Sequence, residues 1–328
     1  MKVIEIITHA GNINTVEGIA SQHGAIDEWS LGGLDEERQV IRLLVDDNHR
    51  QAIMDALQQS LGTSESTRIV VLPVEVTLPK IESDEKDKEK RATAGVTREE
   101  LYSSVSKNAE LHWNFVLLVF LSTIVAAIGL IENNVAVVIG AMVIAPLLGP
   151  NIALALAAAL GDTSLMWTAL RTNLAGLGLA FLLSLLIGLL LAIDVNSPEL
   201  LARTYVGLDS VVLALASGAA AVLSLTTGLS SVLVGVMVAV ALLPPTATVG
   251  LMLGSGEAEL ALGAALLLAA NVVCVNLAAK TVFLIRGVKP RTWLEKRKAK
   301  QSMITYMVFW IISLVILLVA IYLRGRVQ

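Results

Sequence analysis

Residues 140–150 read GAMVIAPLLGP, and residues 235–245 read GVMVAVALLPP. At a fixed offset of 95, Gly140/Gly235, Met142/Met237, Val143/Val238, Leu147/Leu242, Leu148/Leu243 and Pro150/Pro245 are identical. The register continues through Ser122/Ser217, Ala126/Ala221, Leu156/Leu251, Gly161/Gly256, Asp162/Glu257 and Leu165/Leu260. Gapless agreement that includes a proline and an acidic turn exceeds what apolar composition supplies. It reads as a duplicated unit.

Pro146, Pro150, Pro244 and Pro245 fall in the middles of two apolar segments. Proline lacks the N–H and clashes with the carbonyl four residues earlier, at about 3 kcal/mol in a helix interior. Backbone groups freed in hydrocarbon must be satisfied by protein or by a wet cavity. Interruptions at matching places in two halves therefore point to a central binding site. A new half-helix is expected near Pro150-Asn151 and near Pro245-Thr246. Two such N-termini bring positive dipole ends inward, which favours an anion. The plainer alternative is a pair of kinked packing helices.

The chain of 328 residues is 55% apolar and 16% charged, where soluble domains carry about 25% charged residues. That balance excludes disorder, a nucleic-acid arm and a disulfide scaffold, and the single Cys274 leaves the redox compartment open. Residues 1–110 hold 20 acids and 12 bases, while 111–328 hold 8 acids and 12 bases. A polar first third before a very apolar remainder predicts a soluble domain joined to a membrane domain. Seven segments, about 113–131, 134–160, 166–193, 208–227, 230–253, 259–285 and 303–323, each approach or exceed the roughly 20 residues of a span. Three spans per half make the repeats 113–193 and 208–285 inverted. Re-entrant central segments would make them parallel, and their length favours the first arrangement.

Orientation follows from the basic stretch 286–300, RGVKPRTWLEKRKAK, which carries seven bases and one acid. The positive-inside rule places it in the cytoplasm. Six crossings separate it from Lys107, so both lie on one side. The start, MKVIEIITHAGN, lacks a signal-peptide pattern. A cytoplasmic N-terminal domain in an inner-membrane protein is expected.

The N-terminal region reads strand 2–8, helix 12–22, strands 25–30 and 38–45, helix 46–61 and strand 67–78. That order is the β-α-β-β-α-β ferredoxin-like pattern. The expected fold is thus a helical membrane protein with two internal repeats of about three segments each, plus an α+β ferredoxin-like domain over 1–79. Residues 80–112 form a charged linker and an amphipathic helix over 98–112, opened by the capping-box pattern Thr97-Arg98-Glu99-Glu100. The membrane domain covers 113–285, a basic cytoplasmic loop 286–302, and a final helix and tail 303–328.

The run from Asn133 to Leu147, NNVAVVIGAMVIAPL, followed by Gly161-Asp162 and Pro244-Pro245, resembles a family of prokaryotic hydrophobic membrane proteins, domain of unknown function 389. The resemblance covers about 110–286. It implies an integral membrane location and no known enzyme chemistry.

Asn151, Thr246, Pro150, Pro245, Asn271 and Asn276 are candidates for binding a solute; the plainer roles are caps and packing. Glu132, Thr227 and Ser231 are candidates for ion coupling. Asn276 and Lys280 are four apart and share a helix face. Arg171 reads as an anchor, Asn173 as a secondary candidate, and Asp162 and Glu257 as caps or loop residues. In the N-terminal domain, the loop His9-Ala10-Gly11-Asn12 is a candidate anion contact. No metal-ligand spacing, phosphate loop or nucleophile–base pair occurs, so no cofactor, metal or catalytic residue is expected. The expected partners are membrane lipid, a small solute or ion, and further copies of the chain, with no nucleic acid. These features suggest a secondary transporter or channel for a small anionic solute, regulated by the N-terminal domain. The competing expectation is a non-transporting sensor or scaffold.

Overall fold

The computed structural model describes residues 1–33, 38–46, 49–61, 67–74, 97–227, 242–288 and 293–324. The chain forms two compact units, Met1–Arg98 and Glu99–Gln328.

In the first unit, strands β1 (Lys2–His9), β2 (Asp27–Gly33), β3 (Arg38–Val45) and β4 (Arg68–Pro73) alternate with helices α1 (Ile13–Gln22) and α2 (Arg50–Leu61). The sheet order is β2-β3-β1-β4, with every pairing antiparallel. Period-two alternation puts Ile4, Ile6, Ile41 and Leu43 on one face, where Val16, Ile19, Ile53 and Leu57 of the helices cover them. Each such side chain contributes about 1.5–3 kcal/mol by leaving water. On strands β1 and β3, Glu5 stands opposite Arg42, and their side chains pair at 2.6 Å. Gly24, at φ +71°, follows α1 and turns the chain into β2. Asp46 accepts from the His49 backbone N–H at 2.9 Å and so braces the turn before α2. Asn12 precedes α1 but makes no capping bond; its amide donates to the Thr8 hydroxyl at 3.0 Å instead. The described part of the fourth strand ends at Pro73, short of the expected Leu78.

The second unit is helical: α3 (Arg98–Lys107), α4 (Trp113–Ile131), α5 (Val135–Ile144), α6 (Leu148–Leu160), α7 (Thr163–Leu190), the short α8 (Pro198–Leu201), α9 (Leu208–Thr227), α10 (Leu243–Gly254), α11 (Ala258–Ile285) and α12 (Trp293–Arg324). Among the described residues, five helices are long and apolar enough to cross a membrane, or six if α5 and α6 count as one bent span. The expected segment 230–253 lies partly outside the described residues, which resume at Leu242. The amphipathic helix ends at Lys107, five residues before its expected end. The basic stretch is not all loop: α12 already begins at Trp293. Lys, Arg and Glu are good helix formers, so the apolar helix extends back through them.

The first break falls where proline demands it. Ala145, just before Pro146, is extended at φ −66° and ψ 120°, and the two flanking helices meet at a 52° bend. The following half-helices start at Leu148 and Leu243, two residues earlier than expected. Pro150, Pro244 and Pro245 therefore sit in first turns, where the missing N–H has no helical partner to lose.

Small residues let the helices approach. Helix α10 packs against α7 and α11, and α6 packs against α7, α11 and α12. A Cβ on Gly250 would meet the Leu185 N and the Phe181 O at 2.7 Å, and one on Gly188 would meet the Leu251 O at 2.5 Å. Ser184/Gly188 of α7 and Gly250/Gly254 of α10 are small pairs four apart, so these helices touch backbone to backbone. Gly218 of α9 lies against Val275 of α11 in the same way.

Candidate functional site

Three asparagines from three helices converge in the second unit. Asn151 lies in the first turn of α6, Asn173 on α7 and Asn276 on α11, and all are buried. The Asn276 amide N–H donates to the Asn151 carbonyl oxygen at 2.7 Å and to the Val272 backbone oxygen at 3.0 Å. The Asn173 amide N–H donates to the same Asn151 oxygen at 3.5 Å. One oxygen thus collects two donors and holds α6 between α7 and α11.

The cluster is incomplete as a hydrogen-bond network. The Asn151 Nδ2, Asn173 Oδ1 and Asn276 Oδ1 atoms are buried without a partner among the described residues. Leaving a buried polar atom unpaired costs about 1–3 kcal/mol. The site therefore offers one amide donor and two amide acceptors to whatever enters. Asn151 Nδ2 also lies at an α6 N-terminus, whose first N–H groups carry partial positive charge. One turn from Asn276, Lys280 is buried, with its Nζ 5.2 Å from the Trp310 ring centroid of α12.

The hydroxyl residues behave differently. Thr246 is buried, but its hydroxyl donates to the Leu242 carbonyl of its own helix at 2.7 Å. Thr227 likewise donates to the Leu223 oxygen at 2.7 Å, and Ser122 and Thr123 donate to the Val119 oxygen. A Ser or Thr side chain is short enough to satisfy itself one turn back, whereas the Asn276 amide bonds both one turn back and across to Asn151. Thr248 is the exception, buried with its Oγ1 unpaired.

The remaining candidates are placed as follows. Pro150 and Pro245 are buried in the first turns of α6 and α10. Asn271 is buried on α11. Glu132 is exposed at the C-terminal end of α4, on the outside of the helix bundle. Ser231 lies outside the described residues. Asp162 caps α7, accepting from the Leu165 N–H at 3.0 Å. Arg171 is exposed. In the first unit, the His9 loop forms a single tight turn closed by its own groups, with Gly11 N–H donating to His9 Nδ1 at 3.3 Å.

Leu147 at the break and Leu242 and Leu243 at the start of α10 pack with Phe115, Val119 and Ala180 in a single apolar cluster. The asparagine cluster has no counterpart at the offset of 95, where Phe181 matches Asn276 and Leu268 matches Asn173. Sequence reasoning gave Asn173 a secondary place and missed Tyr102 and Thr248; neither of these two carries a spacing signal.

A helical membrane protein with several long apolar helices, one of them bent, and a small antiparallel α+β domain is the class that these features define. The model of the family described as Domain of unknown function (DUF389) matches residues 142–277. An uncharacterised protein of Methanocaldococcus jannaschii is 36% identical over 281 residues, which cover 86% of this chain and 87% of that protein. The chain belongs to this family of uncharacterised membrane proteins. No solved structure matches it.

Proposed function

We propose that the protein is a secondary transporter or channel for a small anionic solute, regulated by its N-terminal domain. The observation that carries this reading is the buried asparagine cluster beside a helix break. Broken helices at membrane depth are a recurrent way of building solute sites. An unpaired amide donor at a half-helix N-terminus, with buried Lys280 one turn from the cluster, favours a carboxylate or similar anion.

Two repeats support the same architecture. Leu208, Leu243 and Ala258 begin helices 95 residues after Trp113, Leu148 and Thr163, and α7 and α11 are both 28 residues long. The half-helix of each repeat packs on the long helix of the other, α6 on α11 and α10 on α7. An odd number of crossings per repeat makes the halves inverted. The sheet order β2-β3-β1-β4 is that of a ferredoxin-like domain. The basic stretch 286–300 supports a cytoplasmic side for that domain in an inner-membrane protein by the positive-inside rule.

The test is anion flux into proteoliposomes, measured for the parent and for Asn151→Leu, Asn276→Leu and Thr246→Leu. The transport reading expects a fall of about tenfold or more in the first two variants, since each loses polar contacts in the site, and a smaller effect in the third. Unchanged flux in both asparagine variants sinks it. The second reading is a non-transporting sensor or scaffold. It is favoured by the apolar packing of Leu147, Leu242 and Leu243 in one cluster at the break and at the start of α10. No flux under any gradient, with ligand binding retained, supports that reading.

A further inference from the structure

Far from the asparagine cluster in sequence, the C-terminal end of α12 closes a cavity of about 260 Å³. Its walls come from the turn before α9, from Leu266 on α11, and from Leu318, Ile321 and Tyr322 on α12. Arg324 is the only charged residue among those lining it. Its guanidinium is turned inward over Gly263, where a Cβ would meet Nη1 at 2.6 Å and Nη2 at 2.8 Å. The Thr204 backbone oxygen also crowds that position, so glycine there lets both the chain before α9 and the arginine come close. The Arg324 Nη2 donates to the Glu259 backbone oxygen at 2.9 Å, while Nη1 is buried without a partner among the described residues.

Position decides what such a site can hold. Met307–Arg324 is an apolar span, so Arg324 stands at its very end, at the depth of lipid headgroups. Tyr205 and Tyr322 beside it are largely exposed, as expected of aromatic side chains at a membrane interface. Below Arg324, Ile316, Val319 and Leu323 are also exposed along the apolar outer side of α12. The cavity is smaller than the roughly 300–1,000 Å³ of typical solute pockets. It suits a compact anionic headgroup whose chains continue over an apolar helix face. Arginine, with a planar fork of donors, is well matched to phosphate oxygens. The carboxylates of Asp209 and Glu259 are on adjoining helices but do not line the cavity.

We infer that this cavity binds the phosphodiester of a membrane phospholipid, with Arg324 Nη1 as the phosphate donor and Leu266, Leu318 and Ile321 against the acyl chain. The site is independent of the transport reading. Its test is native mass spectrometry of the full chain in detergent, titrated with 1-palmitoyl-2-oleoyl phosphatidylglycerol. The parent is expected to retain one phospholipid per chain at low lipid. Arg324→Gln should reduce that occupancy by about tenfold through loss of the charge-assisted bonds. Leu266→Trp, which fills the cavity and keeps the arginine, should reduce it similarly. Arg171→Gln removes an exposed cation elsewhere and should leave occupancy unchanged, as should millimolar inorganic phosphate. Parent-like occupancy in Arg324→Gln overturns the assignment, and if that variant fails to fold, parent-like occupancy in Leu266→Trp does so. An equal loss in Arg171→Gln would make the binding mere surface charge. Displacement by inorganic phosphate would make it a free-anion site instead.

Discussion

Tyr102 on α3 donates its hydroxyl to the Asp162 carboxylate at 2.7 Å. Asp162 is also the cap of α7, so one carboxylate serves a helix N-terminus and a tyrosine 60 residues away in sequence. At the other end of α6, a Cβ on Gly149 would meet the Asn108 backbone oxygen at 2.5 Å. Helix α3 and the turn after it therefore contact both ends of the half-helix that carries Asn151.

That contact has a pH signature. The bond to Asp162, with partial burial and the carboxylate charge, pushes the Tyr102 hydroxyl up to about 12. A raised value means that the folded state holds the proton more tightly. The stabilisation is complete below the ordinary tyrosine value of about 10 and is lost as pH rises toward the folded value. Tyr102→Phe is expected to lower the melting temperature at pH 8 by the loss of about 1 kcal/mol, less than the roughly 1.5–3 kcal/mol of a buried bond to a charged group because Tyr102 is exposed. The difference between parent and variant should shrink above pH 10. A constant difference from pH 8 to 12 would refute the assignment.

The α7–α10 contact should be the least tolerant place in the second unit. Gly254→Ala puts a methyl where the Leu185 oxygen lies 2.6 Å away. Since these atoms are backbone on both sides, relief requires moving a helix, and a loss of about 1–3 kcal/mol is expected. Gly178→Ala on α7 meets nothing within 4 Å. It should be neutral, or stabilising by about 0.5–1 kcal/mol through helix propensity. Thermal unfolding in detergent ranks the two, and equal effects would show that α10 does not approach α7 as closely as described.

The asparagine cluster predicts non-additivity. Asn276→Ala leaves the Asn151 oxygen with only the longer bond from Asn173, while Asn151→Ala removes the shared acceptor. A double-mutant cycle on stability should give a coupling of about 0.5–3 kcal/mol, as for residues in one network. The same cycle between Asn276 and Thr246 should give nearly none, because Thr246 bonds within its own helix. Additivity in both cycles would argue that the 2.7 Å contact carries no energy.

The break after α5 has two causes that can be separated. Pro146 forces Ala145 out of the helix, and Leu147, fully buried, anchors the turn among Phe115, Val119 and Ala180. Pro146→Ala should cost no more than about 1 kcal/mol if tertiary packing now holds the bend, whereas Leu147→Ala should cost about 2–5 kcal/mol. Paired spin labels at Ile139 and Leu160 would report the bend directly. A straightened helix in Pro146→Ala would show that the local backbone, not packing, maintains it.

How much of this was legible in the residues varies with the physics involved. The segment Trp113–Ile131 carries boundaries readable to the residue, because caps, turns and hydrophobic run lengths are local properties. The break was legible through Pro146, and Asp162 as a cap, for the same reason. The start of α6 at Leu148, the extension of α12 back to Trp293 and the end of α3 at Lys107 were not, since helix ends depend on what packs beside them.

By itself the sequence determined that apolar spans follow a polar α+β domain, and where proline interrupts them, because hydrophobic length and a missing N–H act through the chain's own covalent neighbours. Only the tertiary structure decided which polar groups meet. Asn151, Asn173 and Asn276 stand up to 125 residues apart in sequence, and the Asn151 oxygen meets their two amide donors only when the helices pack. The same holds for Arg324 over Gly263: the arginine and the glycine are 61 positions apart, and only packing brings the guanidinium onto the glycine.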